Sequence, residues 1–67
     1  MSIKEIKEFC ESTQAHGVRV KMRLKNEYQT FIGRVRDVGR DQFIFCADET
    51  IPAKTVRYNW VANINNA

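Results

Sequence analysis

Between Val18 and Lys25 the chain reads Val18-Arg19-Val20-Lys21-Met22-Arg23-Leu24-Lys25, with apolar residues and cations in strict alternation. Residues two apart in an extended chain share a face, so Arg19, Lys21, Arg23 and Lys25 form a row of positive charge over an apolar underside. Arg34, Arg36 and Arg40 follow. Seven of the 11 Lys and Arg residues therefore lie between positions 19 and 40, where the only acids are Glu27 and Asp37. The chemistry open to such a row is electrostatic: it can hold phosphates or another polyanion. The competing reading is a solvated face whose cations keep strand edges from aggregating.

Other chemistry has less to build on. No Gly-rich phosphate loop, metal-ligand quartet or nucleophile beside a base is visible. His16, the only histidine, has no Ser, Cys or carboxylate constellation around it and reads as a solvated loop residue. Asp48-Glu49 falls in a polar turn, where adjacent side chains diverge. Cys10 and Cys46 lack metal spacing and sit among apolar residues, which points to reduced core thiols in a cytoplasmic protein. No stretch has the length of a membrane span, and no charged-then-apolar start resembles a signal peptide. The expectation is a protein that is not an enzyme and carries no metal or cofactor.

These residues need a scaffold, and 67 residues supply one small domain with a net charge of +3. A chain of this size buries about 60% of its unfolded surface, so self-association is the expected source of extra stability. Ser2-Ile3-Lys4-Glu5 fits a capping box, and Ile3, Ile6, Phe9, Cys10 and Thr13 line one helical face. The spacing predicts a helix over residues 3–14, with Gly17 as its stop and Ile3, Ile6 and Phe9 packed on the β structure. Strands are predicted over residues 18–25, 28–38, 42–47, 51–58 and 60–64, joined by short polar breaks. Gly33, in the middle of the second, marks a sharp bend or a close backbone approach. Pro52 stands near the start of the fourth, where a missing amide costs little. The fold class predicted is mainly β: an N-terminal helix followed by a five-stranded, strongly bent antiparallel small barrel.

That element order resembles the Sm-like variant of the SH3-type barrel, and short motifs are similar to that family's as well. Leu24-Lys25-Asn26, Gly33-Arg34-Val35 and Asp41-Gln42-Phe43-Ile44-Phe45 together resemble the first sequence motif of the Sm/Lsm proteins. Asp41-Gln42-Phe43 is similar to the Asp-Gln-Phe of their bacterial Hfq-like branch. The chain also departs from that branch. Glu27 stands where a glycine commonly follows Asn, Arg57-Tyr58-Asn59 replaces Tyr-Lys-His, and residues 11–16 lack the arginine cluster of the family's helix.

The resemblance implies a homo-oligomeric ring of about five to seven subunits, closed through the fourth and fifth strands, whose pairing would remove open barrel edges. It also implies single-stranded, U-rich RNA threaded around the pore. Phe43 would then stack a base and Gln42 read its edge, with Tyr58, Asn59 and Arg40 beside them. Separately from the resemblance, which places the main RNA sites on the pore-side loops, the basic row offers Arg19, Lys21 and Arg23 for phosphate contact on the ring surface, or for its solvation. The alternative for Phe43 is an inward, core position. The alternative for the whole domain is an SH3-like module that offers Tyr28, Phe31, Tyr58 and Trp60 to a peptide, or its basic face to an acidic protein.

Overall fold

A computed structural model of the chain describes residues 2–48 and 53–67. The helix, α1 (Ile3–His16), starts where the local chemistry dictates. The Ser2 hydroxyl accepts from the Glu5 amide at 3.1 Å, and the Glu5 carboxylate accepts from the Ser2 amide at 2.9 Å. It runs two residues further than the sequence spacing predicted, because Gly17 takes a left-handed φ of 63° and closes a Schellman cap. The Gly17 amide donates to Gln14 and the Val18 amide to Thr13. Ile6, Cys10 and Thr13 are buried by this helix and Phe9 is half-buried. Ile3 departs from its expected packing role: it is exposed, one residue after the cap and beyond the reach of the core.

Five antiparallel strands follow: β1 (Arg19–Leu24), β2 (Thr30–Arg36), β3 (Gln42–Ala47), β4 (Lys54–Arg57) and β5 (Val61–Asn66). They form one sheet in the order β4-β3-β2-β1-β5. The predicted second strand is trimmed at both ends. Tyr28 and Gln29 precede it, and Asp37 ends it by adopting a left-handed φ of 47°. The Val38 amide is then taken by the Gln14 side chain at 3.3 Å, which ties this loop to α1. Glu49, Thr50, Ile51 and Pro52, part of the expected turn and fourth-strand start, lie outside the described residues.

Trp60 does not begin a strand. Tyr58–Trp60 forms a single 3₁₀ turn between β4 and β5. The reason is topological, since β4 and β5 are opposite edges of the sheet. Laid flat, four inter-strand spacings would part them by roughly 19 Å, whereas four residue steps reach about 14 Å at most. The sheet therefore curves enough at this end for the turn to span the two edge strands. Among the described residues no ladder joins β4 to β5, so these strands form an open sheet rather than a closed barrel. Two backbone bonds brace the crossing: the Tyr58 amide donates to Asp41 at 3.3 Å, and the Lys25 amide donates to Trp60 at 2.9 Å.

Val20, Met22 and Leu24 from β1 meet Val35, Phe43, Phe45, Val56, Val61 and Ile64 in one core, which Ile6 and Cys10 cover from α1. Gly33 faces this core, and a Cβ built on it would lie 2.0 Å from the Cys46 carbonyl oxygen and 2.7 Å from the Ala47 Cα. The obstructing atoms are backbone, so no rotamer change relieves them. Gly33→Ala is expected to part β2 from β3 and destabilise the domain by about 3 kcal/mol, the upper end of the usual overpacking cost. A urea titration followed by circular dichroism measures it, and parental stability in the variant would refute the close approach. Among the described residues no helix is long and apolar enough to cross a membrane.

Candidate nucleic-acid interface

The ladder register places six cations on the outer face of the sheet. Arg19 stands opposite Arg34, and Lys21 and Arg23 continue the same face of β1. Arg36 lies two residues beyond Arg34 and opposite Ile44, on the face of β3 that also carries Gln42. Gln42 in turn pairs with Arg57 of β4. On the other side of β1, Asn65 and Asn63 stand opposite Lys21 and Arg23. All six cations are exposed. None of the five described strands contains an Asp or Glu; the acids fall in α1 and in the connections. The charge separation is thus built into the topology.

Such a face costs stability. Like charges directly opposite one another across a ladder repel, as at Arg19 and Arg34. The chain relieves that pair locally. Arg19 forms a salt bridge with Asp48, and the Arg34 Nε donates to the Gly17 carbonyl at 3.2 Å. Arg36 approaches the Cys46 sulfur at 3.8 Å, and the Arg23 guanidinium leans toward the Glu27 carbonyl at 3.5 Å. Lys21 and Arg57 have no carboxylate partner among the described residues.

The pore-side residues inferred from the resemblance separate into two groups. Gln42, Arg40 and Asn59 are exposed. Arg40, Asn59 and Arg57 line a depression of about 170 Å³ beside the start of α1, together with Ile3 and Asp41. Phe43 and Tyr58 are corrections. Phe43 is 0% exposed and Tyr58 is 2% exposed, so neither ring has a face open to a base. They stack on each other instead, with centroids 5.5 Å apart and planes at 26°. The Tyr58 hydroxyl is satisfied internally by donating to the Gly39 carbonyl at 2.7 Å. Burial pushes that hydroxyl up to about 12, with lesser contributions from Cys10, Glu11 and Asp41. Burial likewise pushes the Cys10 thiol up to about 12, so both groups stay neutral at physiological pH.

The burial of Tyr58 also removes it from the expected four-aromatic peptide surface. Of the other three, Tyr28 is 99% exposed, Trp60 is half-exposed, and Phe31 is half-buried with the Lys54 ammonium 5.3 Å over its ring.

Sequence reasoning counted Arg34 and Arg36 in the basic cluster without giving either an individual contact, and gave Arg57 no role. The Arg34-Val35-Arg36 alternation carries enough signal to place the first two on the outer face. Arg57 reaches that face only through the pairing of Gln42 with β4, which no local pattern reveals. No protein-family model matches the chain, and no curated protein or solved structure matches it either.

Proposed function

We propose that this chain is a divergent Sm-like protein that binds single-stranded RNA across the cationic outer face of its sheet. The observation that carries the reading is the segregation of charge: six outward cations on one sheet whose described strands contain no acid. A merely solvated surface is ordinarily built with both signs interspersed. A face assembled at a repulsive cost is stabilised when phosphates settle on it and release their counterions. Arg40, Gln42 and Asn59 extend the polar surface toward the start of α1, where amides and a guanidinium can meet base edges.

Assembly into a ring of about five to seven copies, one of the closed rotational arrangements open to a homo-oligomer, belongs to the same proposal. Among the described residues, β4 pairs only with β3 and β5 only with β1, so each keeps one edge free for a neighbouring copy. Size-exclusion chromatography with light scattering should give a single multimeric mass. A fluorescein-labelled U-rich oligoribonucleotide should bind that species, with an affinity that falls as salt rises. A monomer at micromolar concentration would refute the ring, and absence of binding at low salt would refute the RNA reading.

A further inference from the structure

We infer that Trp60 and the β1–β2 turn form a pocket for one unpaired nucleobase, a site that rests on the RNA-binding reading and adds to it a place where a base is held. The pocket has a volume of about 290 Å³ and is lined by Leu24, Lys25, Asn26, Glu27, Asn59 and Trp60. That lies at the lower limit of ordinary small-ligand sites, which start near about 300 Å³, and suits one planar ring system. Two backbone bonds brace its frame. The Lys25 amide donates to the Trp60 carbonyl at 2.9 Å, and the Glu27 amide donates to the Leu24 carbonyl at 3.1 Å.

The lining has the chemistry of base recognition. Trp60 is 45% exposed, whereas Phe43, Phe45 and Tyr58 are all buried, so its indole offers a free aromatic surface. Leu24, 8% exposed, supplies an apolar floor. Asn26 and Asn59 each bring a donor and an acceptor, and the Glu27 carboxylate accepts from the N–H groups of a base edge. Lys25 provides a cation for the adjoining phosphate. The site is also continuous with the cationic face, because the Arg23 guanidinium on that face reaches the Glu27 carbonyl. A strand lying along β1 thus arrives at the pocket with its backbone already on Arg23.

Trp60 is the only tryptophan in the chain, so its own fluorescence reports occupancy. A U-rich oligoribonucleotide should quench the indole emission along the same saturation curve that anisotropy of the labelled strand gives. Trp60→Ala should weaken that strand's binding about 5- to 150-fold, the range of a single lost stacking contact, while Trp60→Phe retains most of the affinity. The oligomeric mass and melting temperature of both variants should match the parent. Normal anisotropy binding with unchanged indole emission would overturn the pocket and leave RNA binding intact. A changed mass in Trp60→Ala would also overturn it, since Trp60 would then be covered by a second copy. No binding of the strand to the parent protein would defeat both readings.

Discussion

Phe43→Ala is expected to cost about 3–5 kcal/mol of folding free energy, the usual price of truncating a buried phenylalanine. The ring has no exposed surface, stacks on Tyr58 and stands opposite Val56 across the β3–β4 ladder. Removing it therefore empties the centre of the core and strips Tyr58 of its aromatic neighbour. Small domains have only about 5–15 kcal/mol to lose, so the variant should melt far below the parent or fail to fold. Tyr58→Phe gives the graded control. It keeps the stacked pair but deletes the hydroxyl that donates to Gly39, and should cost about 1 kcal/mol. Chemical denaturation followed by circular dichroism separates the two. A Phe43→Ala protein with parental stability and weakened RNA binding would put the ring back at the RNA surface.

The misplacement of Phe43 has a definite cause. In β1 the alternation of apolar and charged residues leaves one choice of inner face, and Val20, Met22 and Leu24 take it. Gln42-Phe43-Ile44-Phe45-Cys46 has no such contrast after its first residue, so a period-2 reading cannot tell which side chains point inward. The two phenylalanines are buried, with Ile44 half-buried on the opposite face. Gln42 was expected to meet a base edge, and in a strand an outward Gln42 fixes its neighbour Phe43 as inward; the two roles fit together only if the pair stands in a loop. Tyr58 was illegible for a different reason. Its burial depends on the chain crossing from one sheet edge to the other in three residues, a property of the whole topology.

The helix was legible because its determinants are local: Ser2 and Glu5 cap each other, and Gly17 supplies the left-handed residue. Gly33 was legible as an anomaly, a residue without a side chain in a run of large ones. Its partner in the close approach, the Cys46 carbonyl, appears only once β2 and β3 are paired. The cationic face falls between these cases. Each strand's share of it can be read from alternation, but the union of Lys21, Arg36 and Arg57 on one surface needs the strand order.

Replacing Lys21, Arg23 and Arg36 together by Gln should remove about half of the salt dependence expected for RNA binding on six outward cations, without disturbing the fold. All three are exposed and none forms a salt bridge among the described residues, so their loss removes no buried charge and no ion pair, only the long contacts of Arg23 with the Glu27 carbonyl and of Arg36 with the Cys46 sulfur. Arg19 is left in place because its bond to Asp48 makes it a less clean probe of phosphate contact. Each neutralised phosphate contributes a slope of roughly −0.7 in log K against log salt on a single strand. Three contacts should thus lower the slope by about 2, so that over a tenfold rise in salt the parent loses roughly 100-fold more affinity than the variant. At low salt the variant should bind much more weakly; at high salt the two should converge. Its melting temperature should equal or exceed the parent's, because cations in neighbouring rows of one face no longer repel one another. Anisotropy titrations over a salt series, with a thermal melt of each protein, read both quantities. An unchanged slope would make these residues a solvated surface and move the RNA-binding reading to Arg40, Gln42 and Asn59 beside the start of α1.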